Sequence, residues 1–284
     1  MQIMHFTPPQ IAKYFAVNES TIKRWILSGK LQADSTPGGH YRVSKEQMNE
    51  FLSSHKKYTS SYVLNRLLKQ KETEKLNWKE YYDSIYKNNT YKAISILRTL
   101  YLSGQSLAQI FDQVIIPSLG HIGVEWMEGR LEINMEHRMS FVVSQHIGVL
   151  ADFIPENKKK KLPEAILACV PGNTHILPMF MGDAILKQYN FKREVLGINI
   201  SIDELERAIK RKKDTKLVCI SKTYSPIDSQ VYLKKLLHLS KEKKFKLVFS
   251  GQGWTRAELA ILKKNLAQQV TTLIGFENYL KTLI

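Results

Sequence analysis

Cysteine is almost absent: of 284 residues only Cys169 and Cys219 carry thiols, each inside an apolar run, "AILACV" and "KLVCIS". That excludes a disulfide framework, and no Cys/His spacing suits a structural zinc site. Both thiols are expected to be small and buried. Acidic side chains are also scarce, with 26 Asp+Glu against 42 Lys+Arg, a formal charge of +16 and a pI near 9.6. Such a balance favours a polyanion such as nucleic acid as partner, or serves solubility. No run reaches the ~18 apolar residues of a membrane span, and "MQIMHFTPPQ" lacks a basic-then-apolar leader. The expectation is a chain in a reducing cytoplasm with no membrane partner. No repeat of solenoid period is visible. What is present is 43% hydrophobic content, enough for two or three separate cores.

The first 55 residues read as a DNA-binding domain. In "TPPQIAKYF", Thr7, the two prolines and Gln10 form a capping-box start for a helix. Asn18 is placed to cap "ESTIKRWILSG", where Ile22, Trp25 and Ile26 face inward, and Ser20, Thr21, Lys23 and Arg24 face outward near the helix start. Gly29 ends that helix. Small polar and basic groups at the N-terminus of a second helix suit insertion into the major groove. "LQADSTPGGHYRV" predicts a strand, a turn and a return strand, a wing whose His40, Tyr41 and Arg42 can reach phosphates. Ser44 caps a closing helix, "SKEQMNEFL". A small helical domain that docks on protein is the alternative. Residues 5 to 53 resemble the winged helix-turn-helix of the MerR and excisionase group, through "STIKRWILSGKL" and "PGGHYRV".

Residues 56–76 are polar and lysine-rich, a linker. From 77 to 155 apolar residues recur at three- and four-residue intervals, broken by Gly and Pro, which predicts a bundle of about four helices. Within it stands "WMEGRLEINMEH". On one unbroken helix Trp126 and His137 would lie roughly 16 Å apart. A turn at Glu128-Gly129-Arg130 would instead let Trp126 end one helix while Glu136 and His137 ride on the next, so that they can face one cavity. "PENKKKKLPE" reads as a second linker, its lysines solvated.

From 163 to 284 the rhythm becomes strand and helix in alternation: "AILACV", "KREVLGI", "KLVCIS", "KLVFSG" and "QVTTLIGF" are the strands. Five such runs imply a doubly wound, Rossmann-like or flavodoxin-like parallel sheet with helices on both faces. Ligands bind such sheets at the carboxyl ends of the strands, where strand order reverses. There "PGNTHILP", "SKT" and "SGQG" gather after strands 1, 3 and 4, which suits a flat ligand with a long polar tail. No paired carboxylates or nucleophile–base arrangement lies on this edge, so no enzyme activity is expected. Asp183 and Glu194 read as a helix charge and a strand-edge charge.

In domain order the whole chain resembles MerR-type regulators with a helical bundle and a cobalamin-binding domain, the CarH/LitR group of light-responsive transcription factors. The bundle signature of that group is a tryptophan, nine residues, then Glu-His, which Trp126, Glu136 and His137 match without a gap. The resemblance implies adenosylcobalamin as cofactor, with Trp126 over its upper face and Glu136 and His137 bordering that side. It implies His175 as the axial cobalt ligand, with Asn173 beside it, and Ser221, Thr223, Gly251 and Gly253 lining the nucleotide tail. Asn173 stands where the group has an acid, Pro178 where it has a glycine, and Ser250 where a second glycine is common. Met127 replaces the histidine that adjoins the tryptophan in light-sensing members, and a thioether is a soft, weaker ligand than imidazole.

The function so implied is a DNA-binding regulator, a repressor, whose assembly into a dimer or tetramer on an operator is promoted by adenosylcobalamin and reversed by light. Two alternatives stay open. One is the same architecture acting without cobalamin, and the other is a corrinoid carrier for methyl transfer.

Overall fold

The computed structural model describes residues 5–15, 17–54, 77–154, 162–212 and 214–283, in two compact units, Met1–Pro155 and Glu156–Ile284. The expected linker at 56–76 and the lysines at 158–161 lie outside the described residues.

In the first unit, helix α1 (Pro8–Phe15) starts where the Gln10 Oε1 accepts from the Thr7 N–H at 2.8 Å and from its hydroxyl at 3.0 Å. Helix α2 (Glu19–Leu27) departs from expectation at its cap. Asn18 has extended backbone, but its side chain makes no capping bond. Its carbonyl accepts from Thr21 N at 2.9 Å instead, so the backbone alone closes the first turn. Gly29, at φ +72°, ends the helix and lets Leu31 N reach back to Trp25 O at 3.0 Å, as only glycine does without strain.

The wing is shorter than the sequence suggests. Strands β2 (Asp34–Ser35) and β3 (Tyr41–Ser44) pair antiparallel. A strand that sequence pattern did not reveal, β1 (His5–Phe6), pairs with the other side of β3. Helix α3 (Lys45–Ser54) is capped as expected, with Ser44 N donating to Gln47 Oε1 at 2.7 Å and Gln47 N to Ser44 Oγ at 3.2 Å. Phe6, Ile11, Ile22, Leu31, Val43 and Met48 are buried, and Trp25 stacks on Phe51 at 5.1 Å. Apolar burial around one tryptophan therefore holds three short helices and a small sheet together.

The bundle that follows consists, among the described residues, of α4 (Trp78–Tyr86), α5 (Thr90–Leu102), α6 (Leu107–Met127) and α7 (Ile133–Asp152). Helix α6 widens into a π turn at Phe111–Ile115, where Ile116 N–H bonds to Phe111 O. Pro117 explains the widening, since its ring has no N–H and would strike the carbonyl of residue 113 in a regular α-helix. Ser118 completes the repair, donating its hydroxyl to Val114 O at 2.7 Å and approaching Trp78 O at 3.3 Å. By length and a mean hydropathy of 1.2, Leu107–Met127 is long and apolar enough to cross a membrane. It is no unbroken apolar run, since Gln109, Asp112, Gln113, His121 and Glu125 interrupt it. The cause of its apolarity is visible: Leu107, Ile110, Phe111, Val114, Ile115 and Ile122 are buried in the bundle core.

The second unit is a five-stranded sheet in the order β5-β4-β6-β7-β8, every pair parallel. Its strands are β4 (Glu164–Cys169), β5 (Lys192–Gly197), β6 (Thr215–Ser221), β7 (Lys246–Ser250) and β8 (Gln268–Val270). Helices α8 (Leu177–Gln188), α9 (Ile202–Arg211), α10 (Gln230–Lys243), α11 (Arg256–Lys264) and α12 (Leu273–Lys281) cover it. Taken along the chain, the strands lie 2-1-3-4-5, so order reverses between β4 and β6. Residues Ala165–Cys169 of β4 are buried without alternation, as a strand covered on both faces must be. The last expected strand ends early: β8 stops at Val270, and Thr272 accepts from Gly275 N at 3.0 Å to open α12. Hydropathy alone did not separate "LIGF" as helix from strand.

Candidate functional site

The register of the sheet sets the site. Cys169, the last residue of β4, pairs with Ser221, the last of β6, and Ser221 pairs with Ser250, the last of β7. The loops that follow all three strands therefore begin side by side at the point of reversal. Asn173 is fully buried in the first loop, and its amide donates to Ser221 O at 3.2 Å, which also accepts from Val170 N at 3.2 Å. This locks the loop after β4 onto the end of β6. His175 is exposed just before α8, and Pro178 lies in the first turn of that helix. Only the amide nitrogen of Asn173 is engaged by Ser221; its Oδ1, the atom that could accept from an imidazole N–H, has no partner among the described residues.

Gly251 and Gly253 have a packing reason for being glycine. A Cβ on Gly251, whose φ is +91°, would stand 2.4 Å from Lys222 O, and one on Gly253 would stand 2.9 Å from the same oxygen. Gly253 N donates to that oxygen at 2.8 Å. Both glycines thus let the loop after β7 press against the backbone at Lys222 and Thr223. Thr223 is half-buried beside this contact.

Sequence reasoning missed Lys222 and Glu258. Their side chains are 1% and 0% exposed, and Lys222 Nζ lies 2.7 Å from Glu258 Oε1 and 2.9 Å from Ile227 O. The carboxylate also accepts from Ser229 N and Thr255 N, each at 2.7 Å. Burial opposes its ionisation, yet Lys222 and the two backbone donors outweigh it and hold Glu258 below the usual carboxylate range. The Thr255-x-x-Glu258 capping box went unread as a motif, and so did its partner 36 residues away. The network clamps the loop from 222 to 229, whose Ser225 hydroxyl reaches Pro171 O at 2.9 Å.

A small cavity of about 40 Å³ lies under this edge, between the sheet and helices α8 and α12. Its walls include Pro178, Met179, Cys219, Ser221, Ser250 and Phe276. Cys169 is buried as expected, but Cys219 is partly exposed. Burial pushes the Cys169 thiol up to about 11, with the Asn173 hydrogen bond opposing it in part. Two polar atoms here lack partners among the described residues: Ser221 Oγ and Asn173 Oδ1. Orphaned buried acceptors and donors cost roughly 1–3 kcal/mol each, so a polar edge of a ligand, or water, is the natural filler. Ser221 fits a narrow group inserted from the loop edge, and Pro178 limits how wide that group can be.

In the bundle the turn falls where the sequence places it. Glu128 caps α6, Gly129 has φ +73°, and Arg130 bonds Glu125 at 2.7 Å and pairs with Glu128. Trp126 on the last turn of α6 is 46% exposed. On the first turn of α7, Glu136 accepts from Ser140 Oγ at 2.8 Å, and the exposed His137 lies 3.5 Å from the same carboxylate group. Asp183 and Glu194 are structural, paired with Arg193 at 2.8 Å and with Lys212 and Arg211 at 2.7 and 3.0 Å.

The N-terminal domain presents Ser20, Lys23 and Arg24 exposed and Thr21 half-buried at the start of α2. Glu19 pairs with Lys23 at 2.8 Å, and Arg24 Nη2 lies 3.4 Å from Thr21 Oγ1. His40 is exposed at the wing tip, with Tyr41 and Arg42 half-buried behind it.

Residues 6–56 match the family described as helix-turn-helix domain. The HTH-type transcriptional repressor CarH of Myxococcus xanthus is 26% identical over 99 residues, 35% of this chain and 32% of that protein. The match thus spans about a third of the curated relative. The monomethylamine corrinoid protein of Methanosarcina barkeri superposes with a TM-score of 0.56 at 16% identity, covering 75% of this chain and all of that one. The chain, similar over about a third of its length to the CarH repressor, thus joins a helix-turn-helix domain to helical and sheet domains whose fold is that of the corrinoid protein.

Proposed function

We propose that the protein is a cytoplasmic transcriptional regulator, acting as a repressor, whose assembly on operator DNA is controlled by adenosylcobalamin. The observation that carries the reading is the union on one chain of a helix-turn-helix domain with a 2-1-3-4-5 sheet whose reversal point holds His175 and the orphaned Ser221 hydroxyl. His175 supplies an exposed imidazole for the cobalt. Ser221, Thr223, Gly251 and Gly253 would border its tail, Asn173 fixes the loop that carries His175, and Trp126, Glu136 and His137 are the bundle residues that the resemblance adds to the set. When bound, the corrinoid supplies a cobalt–carbon bond that light can break. On the DNA side, Ser20, Thr21, Lys23 and Arg24 enter the major groove, and His40, Tyr41 and Arg42 contact phosphate.

One small reader binds weakly alone, so a ligand that favours a dimer or tetramer tightens operator binding through effective concentration. The ligand must bind assembled and separated forms unequally, or nothing switches. The test is retention of duplex DNA carrying the chain's own promoter region, measured in darkness with and without adenosylcobalamin and again after green light. Tighter binding with the ligand supports the control. Equal binding in all conditions overturns it, and ligand dependence that light leaves unchanged overturns only the light response. Pro178 in the cavity wall favours a second reading, a regulator that works without the cofactor. Under that reading His175→Ala leaves repression intact.

A further inference from the structure

The DNA-reading unit is not where most of the positive charge resides. Residues 156–284 contain 24 Lys+Arg and 12 Asp+Glu, so they carry +12 of the chain's +16. The parallel sheet sorts that charge. Each covering helix returns the chain from the carboxyl edge of the sheet to its opposite edge, so the ends of α9, α10 and α11 share that edge with the starts of β6, β7 and β8. Exposed Lys192, Lys210, Arg211, Lys216 and Lys243 sit there with acidic partners at 2.6–3.1 Å. Lys241, Lys244, Lys246, Lys263 and Lys264 are exposed too, and among the described residues they form no ion pair. These five are not scattered: three lie at the junction of α10 with β7, and two at the end of α11, which leads into β8, the neighbour of β7.

Cations at helix ends are ordinarily explained by the macrodipole, which places about half a negative charge at each C-terminus. Helices α10 and α11 together account for about one unit in that way, against five full charges. Lys244, at φ +59°, ends α10 in the left-handed conformation that a glycine or asparagine would adopt more cheaply, so a cation stands where backbone preference does not ask for one.

We propose that this lysine edge of the sheet domain is a second DNA-binding surface, which grips duplex phosphates without reading sequence. It rests on the proposed function, in that it adds a sequence-independent grip to a chain whose helix-turn-helix domain supplies the specific one. Clustered ammonium groups with no exposed aromatic side chain among them, Phe245 being buried, suit a phosphate backbone, which demands charge and not stacking. It lies at the edge opposite the candidate ligand site, so both can be occupied at once.

The experiment compares the salt dependence of duplex binding by the full chain with that of a variant carrying Lys241→Gln, Lys244→Asn, Lys246→Gln, Lys263→Gln and Lys264→Gln, on a duplex of arbitrary sequence. All five side chains are exposed, and asparagine tolerates the left-handed position, so thermal unfolding is expected to be unchanged. The slope of log affinity against log salt should fall by about 0.9 for each phosphate that is no longer neutralised, and affinity at low salt by tenfold or more. Glu242→Lys, which adds a cation to the same edge, should steepen the slope. An unchanged slope and affinity in both variants overturns the surface while leaving the helix-turn-helix reading standing. A wild-type chain that binds no duplex overturns both. Lysine-dependent binding to phosphatidylserine vesicles with no lysine dependence on duplex reassigns the edge to a membrane and overturns the proposal.

Discussion

Gly251 shows how one residue couples two loops of the ligand edge. Its φ of +91° and the 2.4 Å between a hypothetical Cβ and Lys222 O leave no room for any side chain. Gly251→Ala should therefore cost about 2 kcal/mol or more, read as a lower urea midpoint at unchanged slope. Glu258 is a stronger case, because its removal strands the Lys222 ammonium at 1% exposure and leaves two backbone donors without an acceptor. Glu258→Ala should cost about 3–5 kcal/mol. The sign of its pH dependence follows from a lowered pKa. The contribution is complete above the unfolded carboxylate value and is lost as pH falls through the folded one. Glycines announce themselves in a sequence by residue type, so Gly251 and Gly253 were legible, whereas the Thr255-x-x-Glu258 capping box went unread. The reason the glycines matter here was not legible, since their approach to Lys222 depends on how the loops pack.

Among the elements, the bundle carries its own pH sensitivity. Tyr81 Oη and His146 Nδ1 lie 2.9 Å apart in the core. Burial, with the Arg98 charge adding to it, pushes His146 down to about 4. The unfolded chain takes up this proton near 6.5 while the folded chain does not. The His146 contribution to the stability of the first unit should thus be flat above about pH 7, fall by roughly 3 kcal/mol as pH drops from 6.5 to 4, and level off below that. Urea unfolding at pH 7 and pH 5 checks this, and the double variant Tyr81→Phe, His146→Leu should lose that part of the slope. Helix identity, the turn at Gly129 and the capping of α3 were visible in the apolar spacing and cap residues. The π turn at Phe111–Ile115, strand β1 and the early end of β8 were not. A two-residue strand carries no period, and a helix that absorbs a proline looks in sequence like a helix that ends.

At the scale of the whole molecule, the succession of reader, bundle and sheet domain was readable because hydrophobic period changes from one to the next. Strand order was foreseen only as a class, and the register that aligns Cys169, Ser221 and Ser250 came from pairing that no local pattern encodes. The nine-residue spacing from Trp126 to Glu136-His137 carried the resemblance most specifically, and in the sheet domain Ser221 Oγ has no partner among the described residues. The account's central claim is that this chain holds a corrinoid through His175. Its most direct test is the absorption spectrum of the protein after incubation with adenosylcobalamin in darkness and removal of free ligand by gel filtration. The account predicts a corrin spectrum that co-elutes with the wild-type chain and is shifted or lost in His175→Ala. Wild-type protein that emerges without corrin absorbance, or a His175→Ala variant with an identical bound spectrum, would contradict it.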